Sequence, residues 1–234
     1  MPAVRPVLLL VPGLLCDAAL WGAQVAGLAD LATVRVGEVT AEDSIAAMAA
    51  ALLAEMPEAF SLAGLSMGGY VAQEIMRQAP DRVLRLALLD TSARADDEAQ
   101  HAQRRALIAL AGRGRFRGVT PRLLPRLLHP RHLADPRLTG TVTAMAERVG
   151  RDAFLRQQTA IMGRADGRAD LARIACPTLV LCGREDALTP LALHEEMATA
   201  IPGGRLAIVE ECGHLAPLEQ PAAVTAALRE WLEE

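Results

Sequence analysis

The chain has 234 residues, of which 52% are hydrophobic and 22% are charged, a composition that indicates one folded domain with an insertion and excludes a disordered chain. All 24 basic residues are arginine, so chemistry that needs a lysine amine, such as Schiff-base formation, is excluded. The formal net charge of −4, with two Trp, one Tyr and three Phe, argues against nucleic-acid binding, which favours basic surfaces and stacking aromatics.

Neither of the two longest apolar runs reaches the about 20 residues of a membrane-spanning helix. Pro12 and Gly13 interrupt the first run, so we expect neither a signal peptide nor a membrane segment. The four cysteines form no C-x-x-C pair, which indicates reduced thiols and a cytoplasmic protein. They are Cys16, Cys176, Cys182 and Cys212.

Short apolar runs alternate with helix-length segments along the chain, a pattern typical of a parallel α/β sheet. The predicted strands are Pro6–Val11, Thr33–Val36, Phe60–Leu65, Val83–Leu89, Thr178–Cys182 and Arg205–Val209. The predicted helices are Asp17–Leu28, Asp43–Glu55, Gly68–Ala79, Pro190–Ala200 and Pro221–Leu232. Asp17 and Asp43 are predicted N-caps, and Pro190 and Pro221 are expected in first helical turns.

About 85 residues between the fourth and fifth predicted strands break this alternation and contain only helix-like and loop-like stretches. Residues 92–172 hold 15 Arg and 8 acidic residues, whereas the rest of the chain is acidic. We therefore predict a core formed by residues 1–91 and 173–234, with residues 92–172 inserted as a helical, arginine-rich lid.

The segment Gly64-Leu65-Ser66-Met67-Gly68 follows a predicted strand and precedes a predicted helix. This G-x-S-x-G pattern is typical of a sharp strand-to-helix turn that exposes a nucleophilic serine. The two glycines are needed because side chains there would collide with the adjoining elements. The alternative is a glycine-rich turn whose serine has no chemical role.

A serine hydroxyl becomes a useful nucleophile when a histidine, oriented by a carboxylate, takes its proton. Asp186 follows the fifth predicted strand, and His214 follows the sixth. Because the carboxyl ends of parallel strands lie at one edge of a sheet, Ser66, Asp186 and His214 can converge there. Asp90, after the fourth strand, is the alternative acid.

These segments, together with PGLLCD near the start, CGREDALTP around Asp186 and CGHLAPLEQP around His214, resemble the α/β-hydrolase superfamily. The resemblance covers nearly the whole chain and is closest to small lidded members, such as carboxylesterases, enol-lactonases and C–C bond hydrolases. It implies a six-stranded parallel sheet in the order 2-1-3-4-5-6, flanked by helices, with the lid after the fourth strand. It also implies Ser66 as nucleophile, His214 as base and Asp186 as its partner.

The oxyanion hole of such an enzyme is expected at the backbone N–H groups of Leu14 and Met67. The superfamily often has His-Gly where this chain has Pro12-Gly13, but the donors of the hole are backbone N–H groups, which do not depend on that His. No cofactor and no metal is expected. His129 and His132 have only faint metal-ligand spacing, because Pro130 interrupts any helix there.

The predicted function is hydrolysis of a carboxylic ester or lactone through an acyl-enzyme on Ser66. A C–C bond hydrolase, a lyase and a non-catalytic ligand-binding protein of the same fold stay open as alternatives. The lid arginines are open to two interpretations, either solvated helix faces or recognition of an anionic substrate, which would be a small acid or an acyl group on an acidic carrier protein. These arginines are Arg104, Arg105, Arg113, Arg115, Arg117, Arg122, Arg126 and Arg131.

Overall fold

The computed structural model describes residues 5–113 and 116–234, so Arg115 lies outside the described residues. Six parallel strands form one sheet in the order β2-β1-β3-β4-β5-β6, which confirms the predicted topology. The strands are β1 Val7–Val11, β2 Thr33–Val36, β3 Phe60–Leu65, β4 Val83–Leu89, β5 Thr178–Gly183 and β6 Arg205–Val209.

The central strands are continuous apolar runs because helices cover both faces of the sheet. In β1, Leu8 and Leu10 pack into the core on one face, while Leu9 and Val11 pack into the core on the other. This alternation is the period of two that a strand imposes on its side chains. Every residue of β3 is buried, as expected for a strand at the centre of the sheet.

Nine α-helices connect or flank these strands within the described part of the chain. They are α1 Gly22–Gly27, α2 Ile45–Glu55, α3 Met67–Gln78, α4 Glu98–Arg113, α5 Leu124–Leu127, α6 Pro136–Met162, α7 Leu191–Ala200, α8 Ala216–Glu219 and α9 Pro221–Glu233. Gly150, with φ 77°, divides α6 into two helical parts. None of the described helices is both long and apolar enough to cross a membrane.

Three local predictions about helix starts need correction. Pro190, expected in a first helical turn, is the N-cap of α7 instead. The segment predicted as one helix from Asp17 begins as the 3₁₀ helix Ala18–Trp21, which Asp17 caps, and continues as the short α1. The N-cap of α2 is Ser44 and not Asp43, because the Ser44 hydroxyl accepts the Ala47 N–H at 3.1 Å. These corrections concern the type of the first turn or a shift of the cap by one residue.

The three helices α4, α5 and α6, which we call the insertion helices, lie between β4 and β5 in the chain. Several polar contacts connect them to loops of the sheet. Arg148 of α6 pairs with Asp17 at 2.7 Å, and Arg156 donates to the Thr40 carbonyl at 2.8 Å. Apolar residues of α6, including Val142 and Met145, join the core beside β1. The insertion therefore packs against the carboxyl edge of the sheet.

Candidate active site

Ser66 occupies the turn between β3 and α3 with φ 55° and ψ −115°, a backbone conformation that non-glycine residues rarely adopt. The neighbouring glycines are required because a side chain at either position would clash with the backbone nearby. A Cβ on Gly64 would lie 2.2 Å from the Gly68 carbonyl oxygen, and a Cβ on Gly68 would lie 2.2 Å from the Val11 carbonyl oxygen. The backbone thus projects Ser66 from a tightly packed corner, as the G-x-S-x-G pattern predicts.

The structure brings together three side chains that lie far apart in the sequence. The Ser66 Oγ lies 2.9 Å from Nε2 of His214, and Nδ1 of His214 lies 2.8 Å from Oδ2 of Asp186. Asp186 can only accept while ionised, so Nδ1 carries the proton and Nε2 is left to accept from the serine hydroxyl. His214 and Asp186 are buried, whereas Ser66 is partly accessible.

Asp186 is held in place from its own loop. Its Oδ1 accepts the N–H groups of Leu188 at 2.8 Å and Thr189 at 3.0 Å, and its Oδ2 accepts the Thr189 hydroxyl at 2.6 Å. Burial opposes ionisation of this carboxyl, but the His214 charge and the hydrogen bonds from His214 and Thr189 outweigh it and lower the pKa of Asp186. The carboxylate is therefore charged and fixed in orientation.

The His214 loop is fixed by a buried carboxylate that sequence reasoning missed. Glu219 accepts the N–H groups of His129 at 2.6 Å, Gly213 at 3.0 Å and Leu215 at 3.2 Å. The N–H of His214 itself donates to the carbonyl of Leu127 in α5, at 2.9 Å. The only sequence signal for this role is an acidic residue inside the otherwise apolar segment after His214.

The loop after β1 lies against the serine corner. A Cβ on Gly13 would lie 3.3 Å from the Ser66 Cβ, and Leu14 lines the same cavity as Ser66. A turn from Gly13 to Cys16, closed by a 3.1 Å hydrogen bond, leaves Leu15 at φ 60°. Neither the Leu14 N–H nor the Met67 N–H meets a hydrogen-bond acceptor among the described residues.

Asp90, the alternative acid, does not contact His214. Its Oδ1 accepts the Gly183 N–H at 2.9 Å, and its Oδ2 accepts the Ala216 N–H at 3.3 Å. Asp90 is buried, and this burial together with the nearby Asp186 charge raises its pKa well above the usual range. Its contacts connect the loop after β5 to the loop after β6, which carry Asp186 and His214.

His194 of α7 lies behind the turn that carries Ser66. The side chain is buried, its Nε2 accepts the Thr91 N–H at 3.0 Å, and burial lowers its pKa to about 4. Thr91 in turn donates its hydroxyl to the Ser66 carbonyl at 2.8 Å. His194 is therefore a neutral support behind the serine corner.

A cavity of about 1390 Å³ opens above Ser66 and His214, between the carboxyl edge of the sheet and the insertion helices. Cys16 lines it, but Trp21 does not and is fully buried beneath the loop after β1. Burial and the Asp17 charge raise the pKa of the Cys16 thiol to about 12, and burial also raises the pKa of Cys212. Neither thiol is poised as a second nucleophile.

One group of four side chains within the described residues could reach a common metal ion: Asp90, Cys182, Asp186 and His194. The acceptor atoms of three of them are already used, by backbone N–H groups and by His214. His129 and His132 lie with ring centroids 6.2 Å apart, and Nδ1 of His129 accepts the Arg131 N–H. The donor sets therefore fit structural hydrogen bonding better than metal binding.

Comparisons with known proteins identify the family of the chain. A sequence profile described as the alpha/beta hydrolase family matches residues 8–228. A curated relative, the pimeloyl-[acyl-carrier protein] methyl ester esterase of Chromobacterium violaceum, is 31% identical over 192 residues, which cover 80% of this chain and 75% of that protein. The protein of the same name from Aromatoleum aromaticum is 31% identical over 182 residues, 73% of each chain.

Solved structures agree as well. A thermophilic esterase from Thermogutta terrifontis, solved with malate bound, has a TM-score of 0.89 and 31% identity, with 98% of this chain and 90% of that chain covered. An enol-lactonase from Burkholderia xenovorans LB400 has a TM-score of 0.83, with 98% of this chain and 92% of that chain covered. At 23% identity, the second likeness concerns the fold alone.

Proposed function

The chain belongs to the alpha/beta hydrolase family, and from this premise we propose that it is a serine hydrolase that cleaves a carboxylic ester or lactone. The observation that carries the proposal is the continuous hydrogen-bond chain from Ser66 through His214 to Asp186, with distances of 2.9 and 2.8 Å. Relatives named as esterases, at 31% identity, support the same reaction class.

In the proposed mechanism, His214 takes the hydroxyl proton of Ser66 while the serine oxygen attacks the substrate carbonyl. Asp186 stabilises the imidazolium that forms. The carbonyl oxygen becomes an oxyanion and receives hydrogen bonds from the N–H groups of Leu14 and Met67, which is supported by their lack of other acceptors among the described residues. The start of α3 adds a favourable dipole.

The tetrahedral intermediate then collapses, and the alcohol leaves with the proton from His214. For a lactone, the alcohol stays attached to the acyl group. A water molecule, deprotonated by the same His214, attacks the ester on Ser66, and a second collapse releases the acid and restores the serine hydroxyl. Besides the substrate and this water molecule, the steps use side chains and backbone groups of this chain.

Replacing Ser66 by Ala tests the proposal. We expect wild-type protein to hydrolyse at least one member of a p-nitrophenyl ester series and to be labelled by a fluorophosphonate. Ser66→Ala should lose about 10³-fold or more in kcat and all labelling. Ser44→Ala, which removes the hydroxyl that caps α2 far from the cavity, is the control that keeps both.

An acyl fragment found by mass spectrometry on the peptide that contains Ser66 would separate hydrolysis from the alternatives. A lyase that uses His214 only to move a proton leaves no such adduct, and a ligand-binding protein leaves neither adduct nor product. Absence of turnover and of labelling in the wild-type protein would contradict the proposed function.

We further propose that residues 92–172 act as a lid whose helices cover the cavity above Ser66. Support comes from the insertion residues that line this cavity, including Leu107, Leu123 and Met145. Leu110 and Leu123 are exposed at 71% and 37%, which leaves apolar surface at the cavity mouth for an acyl chain. Replacing Leu110 and Leu123 by Ser should therefore reduce kcat/KM most for long-chain esters, measured against acetate esters.

An acyl ester borne on a carrier protein is a second, finer candidate for the substrate. Two relatives are named for the methyl ester of a pimeloyl group on acyl-carrier protein. The exposed Arg117, Arg122 and Arg126 at the cavity wall would suit an acidic partner. Comparing kcat/KM for a carrier-bound methyl ester and the same free acyl methyl ester tests this candidate; equal values would contradict it.

We also propose a cytoplasmic location, because all four cysteines are free, as expected for a reducing compartment. Fractionation of cells that produce the protein tests this proposal.

A further inference from the structure

One wall of the cavity carries a buried cluster of charges that the proposed mechanism does not use. Both oxygens of Asp96 are taken by arginines: Arg104 donates its Nε at 2.6 Å, and Arg164 donates a terminal nitrogen at 2.7 Å. A further nitrogen of Arg104 donates to Oε1 of Gln158 at 2.8 Å. The four residues come from α4, α6 and the segments beside them, and all four line the cavity that contains Ser66.

This cluster lies close to the proposed nucleophile. The Arg164 guanidinium stacks over the ring of Tyr70 at 4.2 Å from the centroid. Tyr70 is one helical turn beyond Ser66 on α3, and its N–H reaches the Ser66 carbonyl at 3.3 Å. The rise between these two residues is about 6 Å. An extended small substrate attacked by Ser66 can therefore reach the cluster with its other end.

The cluster has two guanidinium groups for one carboxylate, so it carries a net positive charge. The side chains are 0% exposed for Asp96, 5% for Arg164 and 20% for Arg104. Burial would raise the pKa of Asp96, but hydrogen bonds and charges from Arg104 and Arg164 lower it, so the carboxylate stays ionised. An uncompensated charge in such a wall is costly unless an anion balances it.

The rest of the cavity wall is also positively charged. The side chains of three more lining arginines make no ion pair or hydrogen bond within the described residues; these are Arg117, Arg122 and Arg126. The remaining lining charges are paired, Arg94 with Glu196 and Arg168 with Asp166, except for Asp97 at the start of α4. The wall thus has a surplus of three positive charges, although the chain as a whole has a net charge of −4.

We propose that Arg104 and Arg164 form a subsite for a carboxylate of the substrate, so that the hydrolase selects esters or lactones with a free carboxylate over neutral analogues of equal size. This inference rests on the proposed function and adds the substrate class to it. The planar guanidinium groups, held by Asp96, Gln158 and the Tyr70 ring, are ordered before the substrate arrives and so lose little freedom on binding.

The test uses the full chain and monomethyl esters of linear dicarboxylic acids, from succinate to adipate. Each acid is paired with its neutral analogue, in which an amide of the same shape replaces the free carboxylate. We expect kcat/KM for the best acid to exceed that of its amide by at least about tenfold, and the ratio to fall as salt is raised. In esters between a neutral acid and the hydroxyl of glycolate, the free carboxylate lies on the alcohol side. Their kcat/KM shows whether the subsite binds a carboxylate there instead of on the acyl side.

Arg104→Met and Arg105→Met form a matched pair of variants. Arg104→Met removes one guanidinium of the subsite and should bring the acid-to-amide ratio close to one. Arg105 is the next residue on α4, is half exposed, pairs with Glu98 and does not line the cavity. Arg105→Met should keep the wild-type ratio. Should Arg104→Met not fold, as judged by circular dichroism, the wild-type ratio and its salt dependence still decide the question.

A binding measurement separates failure of this inference from failure of the proposed function. Calorimetric titration of Ser66→Ala with each ester pair should show tighter binding of the acid. Equal kcat/KM for the esters with a free carboxylate and for their amide analogues would overturn the subsite and leave the proposed esterase activity standing. Absence of all hydrolysis by the wild-type protein would overturn the proposed function, while the titration would still show whether the arginines bind a carboxylate.

Discussion

We predict that replacing Gln157 of α6 lowers kcat, although this residue does not line the cavity. Its fully buried amide joins two loops of the sheet: Oε1 accepts the Leu15 N–H at 3.1 Å, and Nε2 donates to the Val39 carbonyl at 3.1 Å. Leu15 has φ 60°, which costs a non-glycine residue about 1–2 kcal/mol. Gln157 therefore helps to hold the strained turn that presents the proposed oxyanion donor, the Leu14 N–H.

Gln157→Leu keeps a side chain of similar size and removes both hydrogen bonds. Two buried backbone groups then lose their partners, at about 1–3 kcal/mol each, so the free energy of unfolding should fall by about 2–6 kcal/mol. Complete loss of an oxyanion donor costs about 10²–10³ in kcat. Because the variant loosens the Leu14 loop without deleting the donor, we expect a loss of about 10–100-fold in kcat, with KM within about threefold.

The assay measures kcat and KM on a p-nitrophenyl ester, alongside urea unfolding. Arg156→Met is the matched control, since Arg156 precedes Gln157 on α6 and donates to Thr40, the residue after Val39, without touching Leu15. It should lower stability and leave kcat unchanged. Gln157→Glu keeps an acceptor for Leu15 and should recover part of kcat. Equal kcat for Gln157→Leu and Arg156→Met would refute a positioning role.

Three further variants test the buried residues around Ser66 and His214. Asp186→Asn should lower kcat about 10³–10⁴-fold, because its amide can hold His214 in the wrong tautomer. Asp90→Asn should lower kcat far less. Equal losses of kcat in the two variants would contradict the choice of Asp186 as the acid. Between pH 6.5 and about 4 the unfolded chain protonates His194 while the folded chain does not, so acidification should remove stability, by about 3 kcal/mol at most. His194→Gln should flatten this part of the urea-unfolding profile, and an unchanged slope would contradict the assignment.

The sequence was sufficient for the sheet because its signals are local. Buried parallel strands are continuous apolar runs, and β2, β3, β4 and β6 have the predicted bounds, while β1 and β5 differ by one residue. The turn at Ser66 could be predicted equally well from the sequence, since both required glycines lie within the same five residues. His214 and the two candidate acids, Asp90 and Asp186, were located by their places just past strand ends.

The supporting residues could not be predicted because their partners are remote. His194 bonds a residue 103 positions away, Gln157 bonds one 142 positions away, and Glu219 bonds His129 across 90 positions. A polar side chain in a helix gives no local sign of whether it faces solvent or a backbone group of another element. The choice between Asp90 and Asp186 needed the same long-range information, since each follows a strand.

The insertion helices take part in building the site and do more than cover it. Gln157 holds the loop with the proposed oxyanion donor, and the Leu127 carbonyl accepts the N–H of His214. Arg148, through Asp17, fixes the 3₁₀ helix that follows the same oxyanion loop. Movement of these helices would therefore change the base and the oxyanion donor together. A displacement of these helices that opened the cavity would therefore also disturb the proposed catalytic geometry.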